Sequence, residues 1–272
     1  MKIYYLGPKG SYSYALLQKV CPDDELIPMP TFVHISDAVM NDKKSMGLLG
    51  IENSISSSVH ENIDLVFHTD LYIVGEACMD IQLHLIGTSD SDITDVREIF
   101  SYPQAIVQCS SFIEKHGLIT HETPSTASAV REVDTLQDNT KAAIAGRGSL
   151  ADTNLRIIKE NIGNTSHNMT RWVFVSNSLF SLGKIQNKIT VIFKVKHEPG
   201  SLVKVLQAIA DAKGNMSKIE SRPVPGSNWE YLFWIDVEIP EGSAETFKVL
   251  LEKETLSYRM VGIYEKGQTY SE

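Results

Sequence analysis

Cysteine is scarce here: Cys21, Cys78 and Cys109 are the whole complement of a 272-residue chain, and no two form a C-x-x-C pair. That excludes a disulfide framework and a thiolate zinc site. No run of 18 apolar residues occurs, and MKIYYLGPKG enters a strand pattern at once, without a signal-peptide core. The expected location is the cytoplasm, with no membrane partner. Basic residues are also few, 25 Lys and Arg against 34 Asp and Glu, for a net charge of −9. Nucleic acid and anionic membranes want clustered Lys and Arg, so neither is expected as a partner. The eleven basic and eleven acidic residues of 188–267 cancel, which leaves the whole −9 on the remainder. An anionic ligand must then be met by specific donors and a well-placed Arg.

At 42% hydrophobic the chain can bury a sizeable core, and its length suits two units. Over the first 180 residues short β-rich runs alternate with helical periods, the mark of an α/β layer architecture. KIYYLG reads as a strand and SYSYALLQKV as a helix, GLLGI as a buried strand, and Val59, Ile63, Val66 and Phe67 as one helix face. YIVGEACMDIQLHLIGT reads as strand-rich backbone, and Pro103 to Lys115 as one helix. SLFSLGKIQN, residues 178–187, breaks the rhythm. Beyond it Ile189, Val191, Phe193 and Val195 alternate as a half-buried strand. A helix follows that Gly214 should end, and the remaining segments complete a βαββαβ, ferredoxin-like order.

Four polar segments fall at strand ends. Gly7-Pro8-Lys9-Gly10-Ser11-Tyr12-Ser13 joins a strand to a helix start, where N–H groups and hydroxyls can hold an anion or merely cap the helix. Gly146-Arg147-Gly148 begins a G-x-G-x-x-A string, but the helix after it is too short for a dinucleotide fold. The row Gly50-Ile51-Glu52-Asn53-Ser54-Ile55-Ser56-Ser57-Ser58-Val59 is equally a cap or a ligand cradle. In Asn168-Met169-Thr170-Arg171-Trp172 a hydroxyl and a guanidinium are adjacent, and Arg171 could grip a carboxylate if the strand is not yet regular there. The eight histidines show no ligand spacing, so no metal is expected and all are read as surface or supporting residues. No G-x-S-x-G elbow occurs.

Taken in order, LGPKGSYS, IENSISSSV, SYPQAIVQC, TPSTASAV, AAIA, NMTRW, EPGSLVKVL and ESRP resemble a monofunctional prephenate dehydratase with a C-terminal ACT regulatory domain. The resemblance implies a two-lobed, periplasmic-binding-protein-like catalytic domain over 1–180, with lobes 1–76 plus 157–180 and 77–156, then a ferredoxin-like ACT domain over 188–267. It implies conversion of prephenate to phenylpyruvate under control of phenylalanine bound between ACT domains of a homodimer or homotetramer. Formation of an aromatic ring drives that elimination, so no cofactor is expected. Carried over by motif, Thr170, Asn53, Ser101 and Gln108 are the catalytic set, and Ser11, Ser13, Ser54 and Arg171 bind substrate. Gly200, Ser201 and Leu202, with Glu220, Ser221, Arg222 and Pro223, would hold phenylalanine. Trp172 stands where the family segment has Phe, and Tyr102 where His is common. Arogenate dehydratase and a silent amino-acid sensor are the rival readings.

Overall fold

A computed structural model describes every residue except Pro225, Ser227, Asn228 and Trp229. The first unit holds strands β1 (Lys2–Leu6), β2 (Glu25–Met29), β3 (Ser45–Asn53) and β4 (Ser57–Ser58), with helices α1 (Tyr12–Val20), α2 (Phe32–Asn41) and α3 (His60–His68). Strand β5 (Tyr72–Asp80) leads into a second unit of β6 (His84–Gly87), β7 (Glu98–Ser101), α4 (Pro103–Gln108), α5 (Ser110–His116), β8 (Ile119–Glu122), α6 (Thr126–Leu136), β9 (Lys141–Ala145) and β10 (Arg156–Lys159). The chain returns through β11 (Met169–Ser176). It then builds β12 (Lys188–Lys194), α7 (Ser201–Asp211), β13 (Asn215–Pro223), β14 (Tyr231–Glu238), α8 (Ala244–Glu254), β15 (Ser257–Tyr264) and β16 (Thr269–Tyr270).

Local chemistry sets these elements. Ser11 and Ser125 accept hydrogen bonds from the Tyr14 and Ser128 N–H groups and so cap α1 and α6. Strand β3 is buried from Ser45 to Ile51 because β1 and β11 flank it and helices cover both faces. On one face Leu16 and Leu17 of α1 pack on Ile3, Tyr5, Trp172 and Phe174. On the other, Ile35 and Val39 of α2 and Ile63 and Val66 of α3 meet Leu49, Ile51, Val173 and Val175. Strand β11 thus sends alternate side chains into two different cores.

One sheet runs β2-β1-β3-β11-β5 and continues through β15 into β12, β14 and β13; the other runs β10-β6-β9-β7-β8. The carboxyl ends of β1, β3 and β5 face those of β7 and β9 across a groove, the usual ligand position in open α/β sheets. Gly10 lies so close to Gly148 and Ser149 across it that an added Cβ would come within 3.3 Å of both. Among the described residues no helix is long and apolar enough to cross a membrane.

Four expectations need correction. Residues 156–159 pair with β6 in the second sheet and 72–80 with β11 in the first, so the crossings fall at 81–83 and 160–168 rather than at 76 and 157. The helix expected over 103–115 is two helices broken at Cys109. Strand β12 is buried on both faces, not one, because Ile192 joins Trp234, Val261 and Tyr264 in the core of the first unit. Finally, α7 ends at Asp211 and Lys213 takes the left-handed turn. Gly214 is needed for space, since a Cβ there would lie 2.8 Å from Phe247 and Val237.

Candidate active site

Thr170 is the second residue of β11 and pairs with Asn53 at the end of β3. The Asn53 carboxamide is fixed from behind, because its Oδ1 accepts the N–H groups of Ile55 and Ser56 at 2.9 and 3.0 Å. Its Nδ2 therefore faces forward and donates to Thr170 Oγ1 at 3.0 Å and to Asn168 Oδ1 at 2.7 Å. Asn168 in turn donates to Gln108 Oε1 at 3.1 Å. This chain of four side chains starts in the first unit and ends on α4 of the second. Since Thr170 accepts from Asn53, its own hydroxyl proton is left for another acceptor. A polar groove of about 250 Å³ adjoins, lined by Ile55, Gln82, Leu83, Gln108, Asn164 and Asn168.

Two residues along the same face, Trp172 donates its indole N–H to Ser13 Oγ at 3.2 Å, a bond the phenylalanine of the resembling segment could not make. Ser54 clamps the start of β11 from both sides, its N–H donating to the Met169 carbonyl at 2.8 Å and its hydroxyl accepting the Met169 N–H at 2.9 Å. Ser11 serves as the α1 cap, and its hydroxyl donates to the Leu6 carbonyl at 3.1 Å.

Two expected site residues lie elsewhere. Arg171 is only 8% exposed and turned away from Thr170, with its three nitrogens on Glu52, Glu76 and Asp236 at 2.7, 2.8 and 2.5 Å. Burial works against its charge, but the three carboxylates outweigh that and hold the guanidinium above its ordinary range. Strand alternation is the reason: the backbone is already regular at Arg171, which pairs with Glu52 on one side and Cys78 on the other. It cannot grip a substrate carboxylate from there. Ser101 is fully buried and gives its hydroxyl proton to the Ile144 carbonyl at 2.6 Å, so it joins β7 to β9 instead of reaching a ligand as a donor.

The structure also adds residues that the pattern did not single out. Asn168, the middle of the chain of four, is buried. His84, read as surface or supporting, is 1% exposed at the start of β6, where desolvation lowers its pKa. Its Nδ1 accepts the Asn161 N–H at 3.1 Å, so in the neutral ring Nε2 carries the proton. That nitrogen lies 3.8 Å from the carboxylate of Glu272, which β16 carries across the groove and which accepts the Gly148 N–H at 3.3 Å. Burial pushes the Glu272 carboxyl up.

In the C-terminal unit Gly200 adopts the left-handed conformation ahead of α7, at φ 83°. Ser201 and Leu202 line a cavity of about 410 Å³ with Lys194, His197, Glu230 and Phe233. Glu220 and Arg222 lie elsewhere, on the face of β13 turned to the first unit. Ser58 donates to Glu220 at 2.9 Å, and Arg222 pairs with Asp64 of α3 at 2.9 Å. Ser221 and Pro223 point outward and are exposed. Among the described residues of one chain, the cavity beside Ser201 and Leu202 is not lined by Glu220, Ser221, Arg222 or Pro223.

Comparison with known proteins assigns both regions of the chain to families. The family model described as prephenate dehydratase matches residues 3–179, and that of the ACT domain matches 189–254. The prephenate dehydratase of Methanocaldococcus jannaschii is 32% identical over 269 residues, covering 96% of this chain and 97% of that one. The structure of a prephenate dehydratase from Arthrobacter aurescens in complex with L-Phe superposes with a TM-score of 0.85 at 25% identity, over 98% of this chain and 90% of that one. A protein described as a novel type of quorum-quenching acylase superposes with a TM-score of 0.86 at 27% identity, over 98% of each chain. By model, relative and fold, the chain belongs to the prephenate dehydratase family, with an ACT domain behind its catalytic region.

Proposed function

We propose that this protein converts prephenate to phenylpyruvate in the cytoplasm, and that phenylalanine bound by its ACT domain sets the rate. The observation that carries the reading is the chain from Thr170 through Asn53 and Asn168 to Gln108, which ties both units together at the groove. In the reaction the bond from C1 to the ring carboxylate breaks to release carbon dioxide. Its electron pair closes the aromatic ring as the C4–O bond breaks. One proton is taken up, because the departing hydroxyl leaves as water. Thr170 is far too weak an acid to supply that proton unaided. Its free hydroxyl hydrogen, held in place by Asn53, instead donates to the C4 oxygen as charge develops there and positions the incoming proton. Ser13, which accepts from Trp172, likewise has a hydroxyl hydrogen to offer a carboxylate. With Arg171 occupied on the far face, substrate binding rests on neutral donors, and these suit a carboxylate that has to lose its charge.

The two phenylalanine segments lie apart within one chain and β13 is an edge strand, which supports a ligand held between copies. One copy would supply Gly200, Ser201 and Leu202, the other Glu220 to Pro223. Mixing the protein with prephenate at neutral pH and following phenylpyruvate by ultraviolet absorbance tests the activity, with arogenate run alongside. Turnover of arogenate alone, or of neither compound, refutes the reading. Calorimetry with phenylalanine and light scattering with and without it test the shared site; a monomer that binds phenylalanine with full affinity refutes it.

A further inference from the structure

Thr170 and Arg171 occupy consecutive rungs of the ladder between β11 and β3, the first opposite Asn53 and the second opposite Glu52. The register slips immediately afterwards, between Arg171 and Trp172, so this pair of rungs is set off from the pairing that resumes at Trp172 and Gly50. One rung faces the groove and the other faces the ACT domain. There the guanidinium of Arg171 meets Glu52 and Glu76 of the catalytic region and Asp236 of β14. Lys188 of β12 places its ammonium 2.9 Å from both oxygens of Glu76. Lys218 of β13 donates to Glu52 at 2.9 Å and to Ser58 at 2.6 Å, and Ser58 donates onward to Glu220 at 2.9 Å. Thr190 and Trp234 complete the shell of Asp236 at 2.7 and 2.9 Å.

Arg171, Lys188 and Lys218 thus balance Glu52, Glu76 and Asp236; the catalytic region supplies one of the cations and two of the carboxylates, and the ACT domain the other three. Glu52 keeps 31% of its side chain exposed, but the other members are nearly buried, so a shift of one leaves another unpaired and the cluster specifies geometry more than it adds stability. Period two along β13 puts Lys218, Glu220 and Arg222 on one face. The strand that carries the phenylalanine segment is therefore bonded, through Lys218, to the residue preceding Asn53. A ligand that favours one placement of β13 must bias Glu52 and Arg171, and the adjoining Asn53 and Thr170 rung moves with them.

We infer that Arg171 is a positioning residue, and that the bridge from Lys218 through Glu52 to Arg171 transmits the state of the ACT domain to Thr170 and Asn53. The inference deepens the proposed function and rests on it. The test uses the full chain and the variants Lys218→Met, Lys218→Arg and Glu52→Gln. Phenylalanine should change kcat/KM for prephenate in the unaltered protein by about 5-fold or more, the usual scale of allosteric coupling. In Lys218→Met and Glu52→Gln that factor should fall towards one, while calorimetry still shows phenylalanine bound; Lys218→Arg should keep the response. If Lys218→Met does not fold, Glu52→Gln, which changes charge and not volume, carries the test alone. A full response in Lys218→Met or Glu52→Gln overturns the inference, and so does an active parent protein that ignores phenylalanine. If the parent protein does not turn over prephenate, the functional reading is what has failed. Hydrogen exchange at residues 168–172 then decides the relay: phenylalanine should alter it in the parent and not in Glu52→Gln, and equal behaviour overturns the inference.

Discussion

Replacing Thr170 by Val removes a hydroxyl without changing the shape of the side chain. The loss to the fold is small, because the Asn53 amide keeps its bonds to Asn168, Ile55 and Ser56, and only one N–H at a half-buried position goes unpaired. One such hydrogen bond is worth about 1 kcal/mol, which in a chain of this size lowers the melting temperature by about 2–4 °C. The chemistry should suffer far more. A preorganised donor aimed at developing charge contributes about 10²- to 10³-fold in kcat, or about 3–4 kcal/mol. The expected result for Thr170→Val is therefore a fall of that size in kcat with KM within about threefold, since a donor used only in the transition state adds little to ground-state binding. Thr170→Ser keeps the oxygen and should retain part of the activity, losing some to the free rotation of an unbranched side chain. Initial rates of phenylpyruvate formation, paired with melting curves, separate the two effects. A Val variant whose kcat stays within threefold of the parent removes Thr170 from the mechanism, and one that melts 10 °C lower shows that its role is structural.

Other perturbations follow from the same geometry. Arg171→Met leaves Asp236 without its cation in full burial, which should cost about 3–5 kcal/mol in urea unfolding; adding Asp236→Asn to it should recover part of that loss. Gly214→Ala forces a methyl against Phe247 and Val237, and overpacking of that kind should cost about 1–3 kcal/mol in the same experiment. Glu272 gives a pH signature. Its carboxyl is raised by burial, so between its ordinary value of 4.5 and the raised one the folded chain binds more protons than the unfolded chain. Its docking therefore stabilises most at low pH and weakens as pH rises through that window. His84 acts in the opposite sense: its lowered pKa makes stability fall as pH drops below 6.5. Melting temperatures of the parent minus those of Glu272→Gln isolate the first contribution. That difference should decline from pH 4.5 upwards, and a difference that grows would show the carboxylate to be docked in its charged form.

What the sequence made legible was what period and local chemistry control. The βαββαβ order, the capping serines and the strand-end placement of Asn53 and Thr170 depend on residues near one another or on patterns a few residues long. Arg171 was misplaced because adjacency in sequence means opposition in a strand, and the motif gave no sign that the strand was regular from Met169 onward. The same alternation would have found Asn168, which lies two residues before Thr170 and so shares its face. Ser101 was unreadable for a different reason: whether a serine at a strand end points into a groove or into a neighbouring carbonyl depends on the strand beside it, here β9, forty residues away in the chain. His84 and Glu272 meet across nearly 190 positions, and no local pattern marks where a chain leaves one sheet for another. The errors therefore share a cause. Each concerns a side chain whose partner is set by sheet order, and sheet order is the part of an α/β fold that hydrophobic period leaves open.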